Sequence, residues 1–357
     1  MSHENGYRLK ACHGDADECV DGRSRSTGGE AGDRDMATGR YVATRLLWTV
    51  LAFYLVLSAL FLLAAWAPDP NARRVQVTEN PEADQLESYR EARGYDDPLA
   101  DRWLEWVVGY TTGDLGTSVT SDIGPGDSFG RPILALLRSR GGVTAAYVVP
   151  AVVVATALGT LLGLYTAVRE ATALDRLLTG FGFVPVGVPE FVLAEAVVLV
   201  AIDWLSLAPY YRPGRALLAP SNLVALTLPM AVVTLTLFAV QFRYTRSESR
   251  ERTGAAFVRQ LEARGAPPRE IARQIFRTVA PTLLSLFLVE TLGVLFVTAF
   301  VVELVFKVPG LGQLGWFAIQ SRDVQTLTAV TMVPIALGLV GNLVQDVGHA
   351  LLDPRVE

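Results

Sequence analysis

The sequence predicts an all-α membrane protein with six transmembrane helices and a helix-Gly-helix insert between the fourth and fifth. Three observations carry that prediction. The 357 residues are 51% hydrophobic and only 19% charged, with a mean hydropathy of +0.33, against about 25% charged residues in ordinary soluble domains. The apolar residues gather in six long runs that are almost free of charge. The charges gather between those runs, most densely in one arginine-rich segment.

Residues 1–39 are rich in Gly, Asp, Ser and Arg, without apolar periodicity, and read as a disordered polar tail. His3, Cys12, His13 and Cys19 within it have the spacing of no closed zinc site. Two cysteines cannot staple a chain of this length. Met36 stands just before the first apolar run, which leaves open whether residues 1–35 are translated.

The first run, residues 46–67, has 22 residues without a charge, enough for about 30 Å of helix, the thickness of a bilayer core. Arg40 and Arg45 precede it, and Trp48 and Trp66 mark its ends as interfacial aromatics. Residues 40–67 are therefore assigned to the first span. Residues 68–142 form a loop with 13 acidic and 8 basic residues, and a short helix is expected near 101–110. The remaining runs are 141–168, 177–202, 216–242, 279–302 and 326–344, so residues 143–357 hold a five-helix core. The third is interrupted by Pro185, Pro189, Glu190 and Glu195, and the fifth contains Glu290.

Six spans put both termini on one side, and the loop charges say which. The segment 243–277 holds nine arginines against Glu248, Glu251, Glu262 and Glu270, while the short loops of the other face are close to neutral. Basic residues stay in the cytoplasm, so both termini are expected inside the cell membrane and the 68–142 loop outside. A net charge of −5 offers no nucleic-acid footprint. No phosphate-binding G-x-x-x-x-G-K-[ST] run exists, because neither Lys10 nor Lys307 sits in one. With histidine confined to His3, His13 and His349, no catalytic constellation or metal set emerges.

Carboxylates inside apolar runs are costly and mark pathways or packed interiors. Pro189, Glu190, Glu195 and Glu290 are the candidates for a hydrated translocation path. Burial of the acids as partners of polar groups on neighbouring helices is the alternative, and both readings stand at this stage.

Segment 243–280 is the most informative. Phe257 and Leu261 lie four apart on one helical face, Gly265 suits a helix C-terminus, Pro267 and Pro268 suit the first turn of a second helix, and Ile271 and Ile275 give that helix its stripe. A basic amphipathic hairpin lying on the inner leaflet has the same pattern.

The run Phe257-Val258-Arg259-Gln260-Leu261-Glu262-Ala263-Arg264-Gly265, with Ile275 ten residues after the glycine, resembles the EAA loop of ABC importer permeases of the dipeptide, oligopeptide and nickel branch. Further stretches resemble that family in order: Gly113-Asp114-Leu115-Gly116, Leu174-Asp175-Arg176-Leu177, Val188-Pro189-Glu190-Phe191-Val192, Glu303 with Phe306 and Pro309-Gly310-Leu311-Gly312, and Asn342, Asp346 and Asp353-Pro354-Arg355. The triplet itself departs from the family, reading Arg259-Gln260-Leu261. Asp323 lacks the usual following Tyr-Pro, and Glu190 replaces a small polar residue.

The resemblance implies a permease subunit of an ATP-driven importer for peptides or a similar small solute, not an enzyme in itself. It implies a second related permease, two ATPase subunits that carry the ATP and Mg, an external solute-binding protein, and surrounding membrane lipid. It casts Phe257, Arg259, Leu261, Glu262, Ala263, Arg264, Gly265 and Ile275 as the ATPase-docking coupling loop. The Gly113–Gly116 stretch is either a tight turn or a partner contact. A self-sufficient ion-driven transporter would want inverted repeats, and a membrane-embedded hydrolase would want clustered His, Ser or Asp on facing spans. The sequence displays neither.

Overall fold

The computed structural model describes residues 27–66, 97–118, 130–169, 172–204, 210–286 and 292–352. Glu290 and the tail cysteines lie outside the described residues. Among the described residues the backbone is helical throughout, apart from turns and one isolated bridge between Thr117 and Pro132. The helices are α1 (Thr27–Trp66), α2 (Leu99–Thr112), α3 (Ile133–Val168), α4 (Ala173–Gly187), α5 (Glu190–Leu199), α6 (Pro220–Thr253), α7 (Ala256–Ala263), α8 (Pro268–Leu286), α9 (Leu292–Phe306), α10 (Leu311–Ser321) and α11 (Val324–Leu352). A π-helical turn, Val200–Trp204, extends α5.

Four helices are long and apolar enough to cross a membrane: Gly39–Trp66, Ile133–Val168, Pro220–Thr253 and Val324–Gly348. A fifth crossing is obtained if Phe296–Phe306 and Leu311–Ser321, bent by 77° at their junction, count as one span. The third apolar run, expected as one span, is divided. Helix α4 ends at Gly187, and Pro189 stands as N-cap of α5 at φ −55 and ψ 138. The reason is local: proline removes a backbone donor and keeps the residue before it out of the helical region. The fifth run is shared between the end of α8 and the body of α9.

Close packing of α3 on α6 forms the centre. Ala151, Ala155, Gly159, Gly163 and Ala167 recur every four residues along α3 and are all buried. They make a smooth stripe that lets the α6 backbone approach. A Cβ on Gly159 would lie 2.8 Å from Gln241 Cβ, and one on Gly163 would lie 2.8 Å from the Phe242 carbonyl oxygen. Gln241 also donates to Thr160 Oγ1 at 3.2 Å. Around this seam Tyr147, Val233, Leu237, Phe238, Val302 and Phe306 complete the main apolar cluster.

Helix α2, expected near 101–110, is present and packs on α1. Trp103 Nε1 donates to Ser58 Oγ at 3.0 Å, Tyr54 and Thr111 share a hydroxyl hydrogen bond of 2.9 Å, and Phe61 meets the Trp106 ring at 5.8 Å. Much of the remaining α1 surface, including Leu51, Leu55, Leu62 and Leu63, is exposed hydrocarbon. That is the face a lipid-embedded helix presents.

One boundary differs from expectation. The arginine-rich segment does not begin as a loop at Arg243, because α6 continues through Thr253. Arg, Glu and Ser tolerate a helical backbone, and Arg246 is tied to a neighbouring helix, so leaving the apolar run does not end the helix.

Candidate functional site

The insert between α6 and α8 is built from local rules. Helix α6 stops at Gly254, Ala255 adopts an extended conformation as N-cap, and the eight residues of α7 follow. The exit from α7 is a Schellman turn: the Ala266 N–H donates to the Leu261 carbonyl at 3.0 Å and the Gly265 N–H to the Glu262 carbonyl at 2.9 Å. Gly265 takes φ +71, a left-handed conformation that suits glycine. Helix α8 then starts at Pro268, where a missing N–H costs nothing.

Val258 of α7 is buried against Ile271, Ile275, Val279 and Leu283 of α8, with Phe257, Leu261 and the α3 residues Leu164 and Val168 around them. All eight residues assigned to the insert from sequence thus fall in one place, with a division of labour. Phe257, Leu261 and Ile275 hold the insert to the helices, while Arg259, Glu262, Ala263, Arg264 and Gly265 are exposed. The insert thus presents a polar face outward and an apolar face to α3 and α8.

A second tie links α4 to the extension of α6. Arg246 contacts Asp175 Oδ1 through Nη2 at 2.8 Å and Nε at 2.9 Å, with side chains 18% and 7% exposed. Thr179 Oγ1 also donates to Asp175 at 3.3 Å. Breaking a buried pair from one side strands a charge. Arg246→Ala is expected to cost about 3 kcal/mol, and Arg246→Ala with Asp175→Asn less than the sum of the two single changes by about 1–3 kcal/mol. Thermal unfolding of the detergent-solubilised variants measures this, and simple additivity would show that the pair contributes no coupling.

The carboxylates picked from the apolar runs separate. Glu190 opens α5 and accepts a hydrogen bond from Thr298 Oγ1 of α9 at 2.5 Å. Glu195 and Pro189 are exposed. Five residues apart on one helix, Glu190 and Glu195 stand roughly 140° apart around its axis. The structure therefore does not join these two acids in one site.

The most elaborate polar centre surrounds Glu303, which the sequence shows only as part of a motif. Its carboxylate is 0% exposed. On one side Thr144 Oγ1 and Tyr147 OH of α3 donate to Oε1 at 2.6 and 3.1 Å. On the other, the N–H groups of Gly312 and Gln313 donate to Oε2 at 2.6 and 3.1 Å. The Leu311 N–H is taken by Thr144 Oγ1 at 2.9 Å, and Arg140 donates to the Pro309 carbonyl at 3.3 Å. The first N–H groups of α10 would otherwise be orphans, since its N-cap is Gly310, which has no side chain. Glu303 and Thr144 cap that helix from outside it. A Cβ on Gly310 would collide with Glu303, and one on Gly312 would lie 2.6 Å from Phe300 Cα. The available signal was an acid in an apolar run a few residues before a Pro-Gly helix start.

The stretch Gly113–Ser118 forms a turn, with φ +82 at Gly113 and +75 at Gly116. The Ile133 N–H donates to the Gly116 carbonyl at 2.9 Å, and Ser118 Oγ donates to Asp323 Oδ2 at 2.9 Å. Asp323 in turn caps α11 through the Thr326 N–H at 3.0 Å.

Long apolar helices, one of them in a bent pair held by a buried acid, are those of a multi-pass membrane protein. The family of binding-protein-dependent transport system inner membrane components matches residues 159–357, more than half of the chain, and the chain belongs to it. It is a transport subunit of the ABC importer permease type. It is 28% identical over 330 residues to the oligopeptide transport system permease protein OppB of Mycobacterium tuberculosis (strain ATCC 25618 / H37Rv), covering 89% of this chain and 98% of that protein. It is 27% identical over 319 residues to the dipeptide transport system permease protein DppB of Lactococcus lactis subsp. cremoris, covering 89% and 99%. To the oligopeptide transport system permease protein AppB of Bacillus subtilis it is 24% identical over 324 residues, again covering 89% and 99%.

Proposed function

We propose that this chain forms one half of the translocation path of an ATP-driven importer of peptides, and that α7 is the coupling helix that receives the stroke of an ATPase subunit. The observation that carries this reading is the insert itself: an exposed face of Arg259, Glu262, Arg264 and Gly265, mounted on Val258 and Ile275 in the packing of α3 and α8. A lipid-facing hairpin would turn its apolar edge outward, whereas Val258 and Ile275 are turned in. The peptide substrate is suggested by the relatives named above.

In this reading the chain crosses the membrane six times, by α1, by α3, by α4 with α5, by α6, by the end of α8 with α9, and by α11. Residues 1–39 precede the first span, 68–142 face outward toward a solute-binding protein, and 143–357 form the core. The nine arginines of segment 243–277 support a cytoplasmic side for the insert and both termini. A second related permease completes the path; this chain's candidates for its lining are the exposed Pro189 and Glu195 and, by sequence alone, Glu190 and Glu290. Two ATPase subunits hold ATP and Mg; this chain supplies no nucleotide site of its own.

Gly265→Pro tests the coupling role. Proline fixes φ near −65°, against +71 at this position, so the Schellman turn is broken while nothing stands within 4 Å of a Cβ there. The variant is expected to insert and to keep its elution profile, yet to lose at least nine-tenths of ATP-dependent peptide uptake in reconstituted vesicles, together with co-purification of the ATPase. Uptake at the normal rate, or uptake that survives ATP depletion, would sink the proposal.

A further inference from the structure

A cavity of about 250 Å³ opens between α4 and α6 beside the Asp175–Arg246 pair. Its walls are Thr179 and Gly182 from α4 and Phe242, Arg243, Arg246, Ser247 and Arg250 from α6. Three guanidinium groups and two hydroxyls line it, and among the described residues no carboxylate does. Glu248 and Glu251, on the same helix, are not among its walls.

Its depth is set by the sequence. On α6 the uncharged run ends at Phe242 and the first charge is Arg243; on α4 the last charge is Arg176 and the uncharged run starts at Leu177. Both helices pass from apolar to charged within about one turn of the cavity. The cavity therefore straddles the level at which lipid phosphates lie, with Phe242 and Gly182 toward the hydrocarbon and the arginines toward water. Basic pockets between helices at this level are suited to anionic headgroups, and the planar guanidinium pairs with phosphate oxygens two at a time.

We infer that this cavity binds the phosphodiester headgroup of an anionic glycerophospholipid, with Arg243 and Arg250 on the phosphate and Phe242 against the glycerol end of the acyl chains. Arg246, held by Asp175, fixes the spacing of the wall. The occupant would brace α4 against the extension of α6, the segment that leads into α7. The inference rests on the membrane topology proposed above for its choice of leaflet, but not for the binding itself.

The test uses the full chain, purified in neutral detergent with whatever subunits remain attached, and native mass spectrometry after addition of phosphatidylglycerol, phosphatidylcholine or inorganic phosphate. Phosphatidylglycerol is expected to be retained at least tenfold more than phosphatidylcholine, and millimolar inorganic phosphate is expected not to displace it. The Arg243→Gln/Arg250→Gln variant is expected to lose the preference. So is Ser247→Trp, which fills the exposed rim and leaves every arginine in place; unchanged elution and melting profiles show that both variants are folded. Equal retention of the two lipids overturns the inference. So does a preference that survives Ser247→Trp, which would mean diffuse surface charge, and so does displacement by inorganic phosphate, which would assign the cavity to a free anion. Protease protection of segment 243–277 is read separately: an external location would fell the topology while leaving the lipid preference to stand.

Discussion

Replacing Glu303 with alanine is expected to lower stability by about 3–5 kcal/mol, the loss that follows when one member of a buried charged network is removed. The change would leave the Gly312 and Gln313 N–H groups and the Tyr147 hydroxyl without the acceptor they now share, at about 1–3 kcal/mol for each group left unsatisfied. Water cannot readily step in, since the carboxylate is 0% exposed. Glu303→Gln keeps one acceptor oxygen but directs an NH₂ at donors, and is expected to cost about half as much. Glu303→Asp cannot span from α9 to both α3 and the start of α10, and is expected to resemble alanine. Thermal melting followed by size-exclusion chromatography in detergent ranks the three, and peptide uptake should follow the same order. An alanine variant as stable as the parent would show that the bend between α9 and α10 is held by apolar packing alone.

The second large effect is expected at Gly163. A Cβ there would sit 2.8 Å from the Phe242 carbonyl oxygen, 2.9 Å from Thr245 Cβ and 3.1 Å from the Arg246 nitrogen. Two of these are backbone atoms, which cannot rotate away. Gly163→Ala is expected to cost about 1–3 kcal/mol by overpacking, and Gly163→Leu to prevent assembly of α3 on α6. The Asp175–Arg246 tie would be displaced with α6, so the insert would lose its mounting as well. Gly142 is the internal control: it lies in the same helix with nothing within 4 Å of a Cβ. Gly142→Ala is expected to be neutral or stabilising by about 0.5–1 kcal/mol, the ordinary helix preference for alanine over glycine. Melting temperatures of the three variants, measured side by side, separate helix propensity from helix contact.

The insert was legible in the sequence because everything that shapes it is local. Apolar residues four apart, a glycine at the turn and two prolines at the next start are each a rule about neighbouring residues, and α7, the φ of +71 at Gly265 and the start of α8 at Pro268 obey them. The division of the third apolar run was legible in kind, because Pro185 and Pro189 interrupt it, and the break falls at Pro189. The extension of α6 to Thr253 was misread as a loop because charge was taken to end the helix. Within that extension Arg246 is paired with Asp175, 71 residues away in sequence.

The centre at Glu303 shows the same contrast most clearly. Its partners come from residues 144 and 147 and from 312 and 313, and no periodicity links those positions. By itself the sequence determined that this is a helical membrane protein, which stretches are apolar enough to enter lipid, and where the amphipathic insert turns. Those properties follow from the transfer of each segment out of water and from backbone preferences over a few residues. Only the tertiary structure decided which acids are buried and capped, that α9 and α10 meet at 77°, and that α3 and α6 touch backbone to backbone. These features are pairings between distant segments, and their energies exist only once the helices have packed.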